Sequence, residues 1–153
     1  MSIDDDIAFL DRVPTLALLG REPLRILAIS AESRYVHEGD VLFREGEPAD
    51  GAFVVQEGSF TLTSEHISPG LEPVTIGAGT LLGELALLTS TVRPVTATAL
   101  EASSVIRIPR TLFLRMLDGY PDAAQRLRTI IAKRADQAIT DIQSVRPVLD
   151  IAD

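Results

Sequence analysis

A glutamate and an arginine on one short stretch carry the most readable chemistry in this chain. They sit in Leu82-Gly83-Glu84-Leu85-Ala86-Leu87-Leu88-Thr89-Ser90-Thr91-Val92-Arg93-Pro94-Val95-Thr96. Arg93 is the only fixed positive charge there, and its planar fork matches the oxygens of a phosphate. Gly83 can adopt backbone angles closed to other residues and lets another molecule approach the chain closely. From Glu84 to Leu88 the residues are good helix formers. A short helix beginning here exposes N–H groups without intrahelical partners, a ready place for an anion. Glu84 repels a phosphate, so its natural partner is a hydroxyl beside it. One phosphate together with one sugar hydroxyl describes a nucleotide.

Helices and strands must bring these groups together. Ile7 to Val13 predicts a short helix with Asp4, Asp5 and Asp6 at its positive end, interrupted by Pro14. A second helical piece runs from Pro23 to about Ala28. Phe9, Leu10, Leu16, Leu18, Leu19, Leu24, Ile26 and Leu27 are expected to fold this lead-in against the later part of the chain. From Ser33 the period changes to short runs rich in valine, phenylalanine and threonine: 34–36, 41–44, 52–56, 59–64, 73–76, 95–99 and 104–108. Glycine and proline turns at 38–40, 45–48, 57–58, 68–70 and 77–79 separate them. Closely spaced short strands of this kind imply an antiparallel sandwich or barrel.

After Pro109 the pattern is helical again. Thr111 to Leu117 forms one helix, and Pro121 opens a longer one reaching about Val145, before Pro147. Ala124, Leu127, Ile131, Ala135, Ala138, Ile142 and Val145 make one apolar stripe along it. The first half of that stripe is expected to pack on its own domain; the second half could do the same or meet a second copy in a homodimer.

Composition removes several function classes. A chain of 153 residues is one domain with room for a real core. It has no cysteine, hence no disulfide or thiolate chemistry. His37 and His66 are too few and too far apart for a metal-binding barrel enzyme. A formal charge of −8 opposes direct nucleic-acid binding, yet a local site can still hold one small anion. Ser2-Ile3-Asp4-Asp5-Asp6 is acidic where a secretory signal is basic, and no apolar run approaches a membrane span. The expectation is a cytoplasmic protein.

Gly83-Glu84-Leu85-Ala86-Leu87-Leu88, followed by Arg93 and Thr96, resembles the phosphate-binding cassette of the cyclic nucleotide-binding domain family. That family includes the catabolite activator protein and the regulatory subunits of cyclic-AMP-dependent protein kinase. The resemblance extends from about Val13 to about Arg134. Asp50-Gly51-Ala52-Phe53-Val54-Val55-Gln56-Glu57-Gly58 is similar to the family's strand-turn segment, and Gly77-Ala78-Gly79 stands where it places glycines. It implies an α+β, mainly β fold: an antiparallel jelly-roll β-barrel flanked by N-terminal and C-terminal helices. The implied single domain covers 1–153, with a helical lead-in at 1–32, the barrel at 33–109 around the cassette 82–96, and C-terminal helices at 110–146.

The same resemblance assigns roles. It makes the chain a non-enzymatic regulatory module without a catalytic cofactor. Arg93 would pair with the exocyclic phosphate oxygens, and Glu84 would accept a hydrogen bond from the ribose 2′-hydroxyl. Gly83, the main-chain N–H groups of Leu85 and Ala86, and Val95 would border the ligand, and Arg134 would cover the purine face as a lid. Pro94 departs from the pattern: relatives place a small or hydroxyl residue there, whose N–H helps hold the phosphate, and proline has none. Its missing hydroxyl leans the ligand toward cyclic AMP over cyclic GMP. The alternative keeps the fold without the ligand, as a protein-interaction or structural domain, and Pro94 is the residue that favours it. No DNA-binding domain, kinase or channel follows the last helix, so a stand-alone module acting on a separate protein effector is expected.

Overall fold

The computed structural model of the chain describes residues 3–67, 70 and 72–144, with the side chains at 131 and 134–144 excepted. Three helices come first: α1 (Ile3–Leu10), α2 (Pro14–Ala17) and α3 (Arg21–Ser30). Helix α1 begins earlier than the apolar pattern predicts, because Asp4, Asp5 and Asp6 occupy its first turn and favour the dipole there. Pro14 does more than interrupt. It opens α2, where its missing N–H leaves nothing unsatisfied. Helix α3 starts at Arg21, two residues ahead of Pro23, after Gly20, whose φ of 89° turns the chain into the helix. Leu10, Leu16, Leu19, Leu24 and Leu27 are fully buried, so the lead-in packs as its leucines predict.

The strands are β1 (Glu32–Val36), β2 (Val41–Phe43), β3 (Pro48–Ala49), β4 (Gly51–Glu57), β5 (Ser59–Thr63), β6 (Val74–Gly77), β7 (Leu81–Leu82), β8 (Thr91–Val92), β9 (Thr96–Ala99) and β10 (Ser103–Pro109). They form two four-stranded sheets, ordered β1-β10-β4-β7 and β2-β9-β5-β6, and a small pair β3-β8. Every described pairing is antiparallel. All seven expected runs are strands. The two-residue pieces β3, β7 and β8 were not legible, because a run that short shows no alternation.

Strand β4 lies at the centre of the molecule. Successive side chains of a strand point to opposite faces. Ala52 and Val54 therefore face the helices beside Ile106 and Ile108 of β10, while Phe53 and Val55 face the second sheet beside Phe60, Ala97 and Ala99. Both faces are covered, and that is why Ala52-Phe53-Val54-Val55 reads as a continuous apolar run. The molecule is a stack of three layers: helices, first sheet, second sheet.

Helix α4 (Arg110–Asp118) and helix α5 (Pro121–Ser144) return to the helical layer. Phe113, Met116 and Leu117 of α4, with Ala123, Ala124 and Leu127 of α5, complete the core on that side. The later stripe residues Ile131, Ala135, Ala138 and Ile142, together with Val145, Pro147 and the tail, lie outside the described residues or side chains. Among the described residues no helix is long and apolar enough to cross a membrane.

The turn after β2 ties the second sheet to the functional stretch. Glu45 accepts hydrogen bonds from the Ser64 hydroxyl and from the N–H groups of Glu65 (3.0 Å), His66 (3.2 Å) and Ile67 (2.7 Å). Its own N–H donates to Thr96 Oγ1 at 2.9 Å. These donors, the Ser64 hydroxyl foremost, lower the Glu45 pKa from 4.5 to about 2. The clasp is therefore complete above about pH 4.5 and is lost as pH falls through about 2. An NMR acid titration should show the Glu65 and Ile67 amide signals moving together with a midpoint near pH 2. A midpoint at the ordinary glutamate value would show that the clasp does not form.

Candidate functional site

The site begins where β7 ends. Gly83 takes φ 87° and ψ 36°, the left-handed region, and hands the chain to a 3-10 helix at Glu84–Leu87. The chain then returns through β8, paired with β3, to Arg93. The main chain of Arg93 is locked on both sides: its N–H donates to Glu47 O and its carbonyl accepts from Gly46 N–H, both at 2.8 Å.

That anchoring sends the Arg93 side chain inward, where it is only 4% exposed. Its guanidinium carbon lies 4.6 Å from the ring centroid of Phe43 and 5.4 Å from that of Phe53. Nε and Nη1 are buried with no hydrogen-bond partner among the described residues. Burial above all lowers the Arg93 pKa; the charges of Asp50 and Glu47 raise it, and Arg107 lowers it further. Arginine nevertheless stays charged. A buried, unpaired cation costs several kcal/mol, and cation–π contact returns about 2 kcal/mol when desolvated. Two of its nitrogens are thus left without a hydrogen-bond acceptor among the described residues, with Asp50 and Glu47 as the nearby opposite charges.

Around it lies a cavity of about 570 Å3, within the range of small-molecule sites. Gly83, Glu84, Leu85 and Ala86 form one wall; Arg93, Pro94 and Val95 form another, with Phe43, Leu62 and Leu82 between. Seven of the eight residues singled out in the sequence therefore share one hollow. The eighth, Arg134, is on α5, and its side chain lies outside the described residues. A smaller hollow of about 280 Å3, lined by Arg34, Glu47, Asp50 and Arg107 among others, shares Phe43 and Arg93 with the first. There Asp50 is paired to Arg107 at 2.7 Å.

Reasoning from the sequence missed several details at the cavity wall. The Glu84 carboxylate accepts a hydrogen bond from the hydroxyl of Thr15 on α2. Thr15 is buried at 4% exposure, a lone polar side chain within a leucine-rich segment, and that contrast was the signal available in the sequence. The Ala86 N–H donates to Gly83 O at 3.0 Å, closing the first turn of the 3-10 helix. Phe43 and Phe53 supply the bed for Arg93 from strands far away in the chain. Among the described residues no group of three or more histidine, aspartate or glutamate side chains could hold a metal ion.

Gly83 allows no side chain. A Cβ placed there would stand 2.5 Å from Arg93 Nη1 and 3.2 Å from Gly51 O. The left-handed conformation adds roughly 1–2 kcal/mol for any other residue. Gly83→Ala is expected to lower stability by at least about that amount and to displace the guanidinium. Thermal denaturation and ligand titration of the variant check both parts.

Comparison with known proteins accords with this geometry. The family described as cyclic nucleotide-binding domain matches residues 33–120, more than half of the chain. A solved structure of a cyclic nucleotide-binding-like protein from Brucella abortus is 39% identical, covers 75% of this chain and 99% of its own, and superposes with a TM-score of 0.63. A lysophospholipase of Neurospora crassa is 32% identical over 107 residues, which are 69% of this chain and 7% of that protein. A cyclic nucleotide-gated potassium channel of Mesorhizobium japonicum is 29% identical over 126 residues, 82% of this chain and 34% of the channel. The chain thus spans a small part of these curated relatives. With the match covering the strands, the 3-10 helix and Arg93 alike, the chain belongs to the cyclic nucleotide-binding domain family.

Proposed function

We propose that this domain is a non-enzymatic receptor for a cyclic purine nucleotide, with cyclic AMP preferred to cyclic GMP. The observation that carries the reading is the buried Arg93 guanidinium, whose Nε and Nη1 have no hydrogen-bond partner among the described residues while it lines a ligand-sized cavity. Arg93 receives the phosphate. Glu84 turns one carboxylate oxygen to the ribose hydroxyl, and Gly83, Leu85, Ala86, Pro94 and Val95 shape the surrounding wall. In this reading the two four-stranded sheets are the halves of a jelly roll. The C-terminal helices close over the base, with Arg134 as the lid, and their movement reports occupancy to a protein effector. A ligand shifts such a balance only through its differential affinity for the open and closed forms.

Calorimetric and thermal-shift titrations with cyclic AMP and cyclic GMP test the proposal. Binding of both, tighter for cyclic AMP, is expected; at a hundredfold excess over Kd the domain gains about 2.7 kcal/mol of stability. Folded protein that responds to neither nucleotide at millimolar concentration would defeat it. A second reading, a domain of the same fold acting through protein contacts alone, is favoured by Pro94 and by the Thr15 hydroxyl already bonded to Glu84.

A further inference from the structure

Arg110 is the first residue of α4, yet its side chain runs back into the wall of the cavity. Its Nη1 donates toward three main-chain carbonyls: Ala49 O at 3.0 Å, Thr89 O at 3.0 Å and Ala86 O at 3.2 Å. They belong to β3, to the segment after the 3-10 helix, and to the 3-10 helix itself. Ala49 and Ala86 both line the cavity and are both buried. The main chain is tied to the same corner, since the Arg110 N–H donates to Asp50 O at 2.7 Å.

Carbonyls at the end of a short helix lack intrahelical donors, and a nearby arginine is a good substitute. A charged donor strengthens each bond. One nitrogen with two N–H bonds serves three acceptors, one hydrogen being shared between two of them, and this couples them, because it cannot follow one carbonyl without weakening its hold on the others. The 3-10 helix presents its start to the cavity and its end to Arg110. A displacement at its start would therefore reach the first residue of α4 through this side chain, alongside the apolar packing of Leu87 in the cluster with Phe113, Met116 and Leu117 of α4.

We propose that Arg110 is a positioning residue that holds the cavity wall in shape and transmits its movement to α4. The inference rests on the receptor reading above, and its test separates the two. Cyclic AMP titrations and amide hydrogen exchange across residues 110–118 are compared for the wild-type chain, Arg110→Met and Arg110→Lys. Wild-type protein should bind and change its protection in α4. Arg110→Met should bind about tenfold more weakly and, even at saturation, lose the α4 response. Arg110→Lys, which keeps the charge and donors on a different reach, should restore part of it.

A merely structural arginine would lower the melting temperature and leave the response at saturation intact; that result overturns the inference. So does a wild-type protein that binds without any change in α4. Should Arg110→Met fail to fold, Arg110→Lys decides: a full wild-type affinity and response in it count against the proposal, and reduced ones support it. Absence of binding by the wild-type chain removes the receptor reading itself, and the inference with it.

Discussion

Arg93→Met is expected to abolish cyclic-nucleotide binding while raising the melting temperature of the unliganded domain. The two signs come from one fact, a charge buried without a hydrogen-bonding partner at Nε and Nη1 among the described residues. Each hydrogen bond to a charged group contributes about 1.5–3 kcal/mol, so losing two costs roughly two to four orders of magnitude in affinity. Without ligand, desolvation of the guanidinium works against the fold. Methionine is shorter than arginine but apolar, can lie against the rings of Phe43 and Phe53, and makes favourable sulfur–aromatic contacts. A gain of about 1 kcal/mol corresponds to roughly 2–4 °C in a domain near this size. Calorimetry and thermal melts on the same preparation read both effects. If the substitution lowered stability and left binding unchanged, Arg93 would be a packing residue and the receptor reading would fall.

Pro94→Ala should move the other way in both respects. Pro94 lines the cavity beside Arg93 and offers no N–H. Alanine restores one main-chain donor, and a single bond to a phosphate corresponds to roughly a ten- to hundredfold gain in affinity. Removing a proline frees the unfolded chain and costs about 0.4–1 kcal/mol of stability. Parallel titrations of the two proteins decide the matter. An unchanged affinity would mean that Pro94 is accommodated and that the phosphate takes its donors elsewhere. In a double variant with Arg93→Met the gain should vanish, since residues sharing one partner do not act additively.

The candidate site was legible because most of it is contiguous. Gly83 to Ala86 and Arg93 to Val95 lie within one stretch, where residue type and short spacing carry the information. Strand runs and helix stripes were legible for the same reason, as local periodicities in side-chain type. Missed features depend on distant partners: Thr15 reaches Glu84 across 69 positions, and Arg110 reaches Ala49 across 61. The strands β3, β7 and β8 are defined by the backbone they pair with, not by their own side chains.

Chain order and residue chemistry therefore established the helix–sheet–helix succession and a guanidinium suited to a phosphate, while the family followed from the resemblance of the cassette and its neighbouring blocks. Only folding decided that this guanidinium is buried against two aromatic rings, that the glutamate meets a threonine of the lead-in, and that an arginine of α4 donates to carbonyls of the cavity wall. The division has a physical cause. Charge, hydrogen-bonding capacity and periodicity belong to residues and their near neighbours, whereas desolvation and pairing depend on what the rest of the chain places around them.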